Sequence, residues 1–154
     1  MPFEQHSLTV PAPYRALFPS VFYIHLNMPV TTAGTEVENF IEYKLEKCDY
    51  NVETQVIAGG INVDWSRIDI VLPDRSEAIS LKYQEVAGTA EEKVLYEAES
   101  LSLMCMANGY MQGTIVLCGS GWSPVKYNWF LHEYQPPQRV RIISYDEFVK
   151  QYLY

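Results

Sequence analysis

Ala78-Ile79-Ser80-Leu81-Lys82-Tyr83-Gln84, followed after a short break by Gly88-Thr89-Ala90-Glu91-Glu92-Lys93-Val94, decides how this chain is read. The first part has the alternation of a strand, with Ser80, Lys82 and Gln84 on one face and Leu81 and Tyr83 on the other. The second part changes period. Thr89 and Glu92 have the spacing of a capping box, in which a hydroxyl and a carboxylate three residues apart satisfy each other's orphan backbone donors. A helix over residues 90–107 follows, burying Val94, Ala98, Leu101 and Cys105 before Asn108-Gly109 stops it. A strand that hands over to a helix calls for a crossover to a further strand. The apolar run at residues 113–118, closed by Gly119-Ser120-Gly121, supplies one.

Working outward, Arg67-Ile68-Asp69-Ile70-Val71-Leu72 reads as a strand within residues 61–72, with Arg67, Asp69 and Val71 on one face, and Pro73-Asp74-Arg75-Ser76 as the tight turn into residues 78–84. Residues 52–58 alternate loosely and end at Gly59-Gly60, which completes a β-meander. Before it, Thr31 or Thr32 can cap a helix whose Val37, Phe40, Ile41, Leu45 and Cys48 recur at helical spacing. After residue 121 comes a looser Trp-rich segment, then a strand at 140–143 and a short helix at 145–152. The order is helix, β-meander, helix, strand, strand, helix, which predicts an α/β fold with a mixed β-sheet flanked by helices. Residues 1–154 read as a single domain. Residues 1–30 form a proline-rich N-terminal arm, with Val21-Phe22-Tyr23-Ile24-His25-Leu26 as an edge strand, packed on the domain or on a second subunit.

The bulk properties bound the function. A chain of 154 residues can bury a core without disulfides. Its three cysteines, Cys48, Cys105 and Cys118, lack metal-type spacing and read as free thiols in a reducing compartment. No apolar run is long enough to span a bilayer and no secretory signal opens the chain, so the expected location is cytoplasmic. The net charge of −8 argues against a generic nucleic-acid coat protein, whose binding would be driven by Lys and Arg. It leaves room for a nuclease, in which a divalent cation reverses the local sign of an acidic site. His6, His25 and His132 lack ligand spacing. Gly119-Ser120-Gly121-Trp122 would need a helix N-terminus directly after it to cradle phosphate, and Pro124 with its aromatic run does not read as one. Trp122 and Trp129 are expected in the core or an interface.

The Ser-x-Lys-x-Gln strand and the Gly-Thr-Ala-Glu-x-Lys helix start, with Tyr96-Glu97 after them, resemble a signature of the PD-(D/E)XK nuclease superfamily. Gly34 with Glu38, Gln55 with Gly59 or Gly60, and Gly119-Ser120-Gly121-Trp122 fall in matching order, so the similarity covers residues 31–148. The chain departs from the pattern in two places. Ser80 stands where an acid would precede the lysine, and Ile68 stands where a proline would precede Asp69. The literal Pro73-Asp74 lies in the turn and is set aside as a decoy.

The resemblance implies a restriction-endonuclease-like core and a Mg²⁺-dependent DNA endonuclease, with Mn²⁺ able to substitute. Restriction-like and phage-associated enzymes are the settings it suggests, with branched DNA or RNA as further substrates. It implies Asp69, Lys82, Glu97 and Gln84 as catalytic residues. The metal would be held by Asp69, Glu97 and the Leu81 carbonyl, with Glu38 at a second metal and Glu91 as the alternative acid. Lys82 would orient the attacking water and offset charge on phosphorus, and Gln84 would position water or phosphate. A twofold homodimer is expected of an enzyme that cuts both strands of a duplex. The competing expectation is a catalytically silent member that binds nucleic acid or a protein partner.

Overall fold

The computed structural model describes residues 30–59, 65–85, 88 and 90–153. The proposed N-terminal arm and the capping residue Thr89 lie outside the described residues. A helix α1 (Val30–Lys47) leads into strands β1 (Glu53–Gly59), β2 (Trp65–Leu72) and β3 (Glu77–Tyr83), with a 3₁₀ turn at Pro73–Arg75 between the last two. Helix α2 (Ala90–Asn108), strand β4 (Gln112–Cys118), helix α3 (Pro124–His132), strand β5 (Val140–Ser144) and helix α4 (Tyr145–Tyr152) complete the order. The five strands form one mixed sheet in the order β1-β2-β3-β4-β5. β1, β2 and β3 pair antiparallel, whereas β3, β4 and β5 run parallel. This is the α/β architecture that the strand-to-helix handover implies.

Burial explains the central position of β3 and β4. Residues 77–81 and 113–118 are buried throughout, as strands covered on both faces must be. On one face α1 and α4 lay Val37, Phe40, Ile41, Leu45 and Phe148 over Ile70, Leu72, Ile79 and Leu81. On the other, α2 and α3 lay Val94, Leu101, Cys105 and Phe130 over Val71, Ala78, Ile115 and Leu117. α2 comes so close to β4 that a Cβ added at Gly113 would lie 2.9 Å from the Leu101 side chain. α4 is fixed by its own sequence. Ser144 caps it by accepting the Glu147 N–H at 3.0 Å, and Tyr145, Phe148, Val149 and Tyr152 form its buried stripe.

Three expectations need correction. The Trp-rich segment is not irregular: it contains α3, with Ser123 at its N-cap and Pro124 in its first turn. Pro124 is in fact a start signal, because its missing N–H falls where a helix has no use for one. α3 makes β4 and β5 a second parallel pair, and Trp122 beside it is buried with its indole N–H donating to the Cys118 carbonyl at 2.8 Å. The first helix begins at Val30, so Thr31 and Thr32 lie inside it rather than at its cap. Finally, β2 does not alternate strictly. Ile68 and Val71 pack into the same layer although three residues apart, so the alternation slips between them, at Asp69. Among the described residues no helix is long and apolar enough to cross a membrane.

One charged residue lies deep in the sheet at its other end. Glu77 is 1% exposed at the start of β3. It accepts from Arg75 Nε at 3.1 Å, from Thr114 Oγ1 at 2.6 Å and from the Tyr152 hydroxyl, with Arg141 3.8 Å away. Thr114 and Tyr152 are themselves buried, so removing the carboxylate leaves their hydroxyls without this acceptor. Glu77→Ala is expected to lower unfolding free energy by about 3–5 kcal/mol, read from urea denaturation. A loss below about 1 kcal/mol would show that the network is not what locks α4 to the sheet.

Candidate active site

The paired part of β2 and β3 ends early. Leu72↔Glu77, Val71↔Ala78 and Ile70↔Ile79 are in register, and the ladder goes no further. β2 continues alongside β1 instead, with Ile68 opposite Val56 and Arg67 opposite Ile57. A fork therefore opens between β2 and β3. Asp69 occupies it: its Oδ2 accepts the Leu81 N–H at 2.7 Å, taking the place of a backbone acceptor. In an extended strand a residue's N–H and C=O point to the same side, so the Leu81 carbonyl also faces the β2 side.

Other charged groups reach this fork from both faces of the sheet. Lys82 extends toward α2, where its Nζ meets Glu97 Oε1 at 3.1 Å, and both side chains remain partly exposed. Glu38 comes from α1 on the opposite face and accepts from Gln55 Nε2 at 2.6 Å. Burial raises the Asp69 carboxyl above its ordinary range. The Leu81 N–H and Lys82 pull it back down, and Glu97 pushes it up. Burial also lifts the Glu38 carboxyl to about 7, with the Asp69 charge adding to the rise and Gln55 and Lys82 opposing it. Asp69 thus feels the charges of Lys82 and Glu97, and Glu38 those of Asp69 and Lys82, although the four come from different elements.

Such a group of acids suits a hard divalent cation, which is held by oxygens and stabilises carboxylates that otherwise repel. Among the described residues no three Asp, Glu, His or Cys side chains converge into a ready-made cage. Mg²⁺ does not need one, since it takes one or two carboxylates and keeps several waters. The donor set therefore fits a metal of that kind.

Two expected site residues have other tasks. Gln84 is 4% exposed, and both ends of its amide are engaged. Its Nε2 donates to the Gly121 carbonyl at 2.9 Å, while its Oε1 accepts the Ala90 N–H at 3.1 Å at the start of α2. It holds the helix and the loop after β4 in place rather than facing a phosphate or water. That loop passes so close that a Cβ on Gly119, whose φ is +93°, would lie 2.3 Å from the Gln84 carbonyl. Glu91 accepts the Ser123 N–H at the start of α3 and lies 3.8 Å from Lys126, so it joins α2 to α3 rather than serving as the alternative acid. Glu92 is exposed, and Asp74 is exposed in the turn at the far end of the β2–β3 pair. Ser80 is buried and puts no carboxylate at its position.

Sequence reasoning did not assign Gln55 a task, and its left-handed backbone, with φ +52°, leaves no mark in the residue type. The cysteines are free, as expected, with Cys105 and Cys118 buried. Trp129 is 40% exposed and stacks on Tyr134 with centroids 5.0 Å apart.

The chain resembles the crystal structure of a protein of unknown function, AF1548, with a TM-score of 0.47 and 17% identity. The match covers 71% of this chain and 57% of that one, so this chain spans little more than half of that protein's length. No curated protein matches the chain. Residues 30–152 match the PD-(D/E)XK nuclease superfamily domain, whose members are generally nucleases. With its mixed sheet forked at Asp69 and flanked by helices, the chain belongs to the PD-(D/E)XK nuclease superfamily.

Proposed function

We propose that this protein is a divalent-metal-dependent endonuclease that hydrolyses phosphodiester bonds in DNA. The observation that carries the reading is the approach of Asp69, Lys82 and Glu97 at the fork between β2 and β3, an acid–lysine–acid set drawn from two strands and a helix. Asp69, Glu97 and the Leu81 carbonyl would hold Mg²⁺ or Mn²⁺, with Glu38 at the outer side. When bound, the metal would supply a polarised phosphate and a water of lowered pKa. Lys82 orients the attacking water through its ammonium and offsets the charge that grows on the phosphoryl oxygens. Glu97 holds Lys82 in that position through their ion pair. A carboxylate relocated to α2 answers the absence of an acid at Ser80, and Mg²⁺ tolerates the exchange because it asks for oxygens rather than for a particular element of structure.

A second reading has its own support: Ser80 and the net charge of −8 both favour a silent member that only binds nucleic acid or a protein. The two readings separate on cleavage. With Mg²⁺ or Mn²⁺, wild type is expected to nick or linearise plasmid. Asp69→Asn and Lys82→Ala should each lose at least about 100-fold, as removal of one transition-state contact does. Activity that survives both substitutions and chelation would refute the site. Inert wild type on duplex, single-stranded and branched DNA and on RNA would favour the silent reading.

A cut through both strands is met most simply by a twofold dimer. Light scattering should then give twice the chain mass, whereas a concentration-independent monomer would count against it.

Glu38 gives a pH signature that needs no substrate. Its carboxyl, lifted to about 7 in the fold from an ordinary 4.5, keeps its proton where the unfolded chain has lost it. The folded state thus binds more protons between those values, and its stability falls as pH rises through them. In metal-free buffer, Glu38→Gln removes this term. Its melting temperature relative to wild type should climb from pH 5 to about pH 8 and then level off. A gap that stays constant with pH would show that Glu38 is not confined as described.

A further inference from the structure

Gln55 stands across from Asp69 at the one interruption in the β1–β2 ladder. Thr54↔Ile70 and Val56↔Ile68 are paired on either side, and the pair between them is missing. Gln55 has φ +52°, the left-handed region that a non-glycine residue enters only where its surroundings impose it. The slip of alternation in β2 falls at the same place: Val56 and Ile68 pack toward α2, whereas Ile70 packs toward α1. The Gln55 side chain is exposed, and its Nε2 donates to Glu38 Oε1 at 2.6 Å, bridging β1 to α1. An exposed hydrogen bond adds little stability, and a left-handed backbone in a strand subtracts from it. The interruption of the ladder accounts for the turn of the backbone, but it does not account for an amide held on Glu38.

We infer that Gln55 is a positioning residue for the proposed metal site: its backbone turn lets β1 follow β2 through the slip at Asp69, and its amide fixes the Glu38 carboxylate beside that aspartate. The inference rests on the reading of Asp69 and Glu38 as carboxylates that face a divalent cation. Gln55 touches neither the cation nor the substrate, and it acts through Glu38. The neighbouring strand is the natural place for such a group, because α1 alone leaves a glutamate free to choose among rotamers.

Mn²⁺ binding, measured by titration calorimetry together with thermal melting, tests this on wild type, Gln55→Gly, Gln55→Ala, Glu38→Gln and the Gln55→Gly/Glu38→Gln double variant. Glycine accepts a positive φ without strain, so Gln55→Gly keeps the backbone turn and removes only the amide. It should melt at or above wild type and bind Mn²⁺ about 10-fold more weakly, the scale of losing an outer partner of a ligand. Gln55→Ala should bind as weakly and melt lower. The double variant should bind no more weakly than Glu38→Gln alone, because the amide has nothing left to position. Wild-type affinity in Gln55→Gly, or losses that add in the double variant, would overturn the inference and leave the metal site standing. A Gln55→Gly protein that melts well below wild type would assign the residue to the fold and overturn it as well. Wild type that fails to bind Mn²⁺ would overturn the metal site first, and this inference with it.

Discussion

The Leu81 N–H donating to the Asp69 carboxylate is the contact on which the rest of the site depends. A buried backbone donor must be paired, and in a regular sheet the neighbouring strand's carbonyl would do it. Here a side chain does it instead. The exchange lets β2 part from β3 without stranding the donor, and it fixes the aspartate at the mouth of the gap. The same contact lowers the cost of a charged carboxyl in a place where burial raises it. Geometry and protonation are therefore set by one bond.

Opening a sheet in its middle has consequences on both sides. β1 has to follow β2 away from β3, and it does so through a left-handed residue opposite Asp69. On the other side, β3 stays paired with β4 along its full length, so Lys82 is held by a parallel ladder while Asp69 stands at the edge of an antiparallel one. The rigid half carries the cation of the site and the divergent half carries the anion. The net charge of −8 is less of an objection in this light, because acids gathered at the fork are where a divalent cation would reverse the sign. Lys82, in contact with Glu97, contributes little long-range attraction for a polyanion.

Much of the fold was legible because its signals are local. Period changes at residues 84–90, the Pro-Asp-Arg-Ser turn and the glycines after β4 placed most of the elements within a residue or two. α3 was hidden by its aromatic composition, which has weak helix propensity, and by a proline taken for a breaker when it stood at a helix start. The candidate site was half legible. Asp69, Lys82 and Glu97 were singled out by the superfamily resemblance, since on spacing alone a lysine facing an aspartate reads as a cross-strand ion pair. The tasks of Gln84 and Glu91 could not be read, since an amide or carboxylate that ties two elements together looks in sequence like one that faces a ligand. The slip at Asp69 and the turn at Gln55 were invisible for a different reason. Both come from strands meeting across the sheet, and no periodicity in either strand announces them.

A carboxylate borne on a strand is aimed by the sheet itself, whereas one borne on a helix is aimed only as well as the helix is held. Glu97 stands two turns into α2, so any shift of that helix along its axis would move it relative to Lys82. The contacts around α2 answer this demand. Gln84, just past the end of the strand that carries Lys82, takes the helix's first N–H, which ties the start of α2 to that strand. At the far end, Gly113 lets Leu101 and Cys105 press against β4, so a side chain at that position would push the helix off the sheet. Glu91 then fastens α3 to the first turn. An acid carried on a helix, as proposed for Glu97, would thus depend on the whole of the α2 packing, and Gln84 belongs to that packing through its bond to the Ala90 N–H.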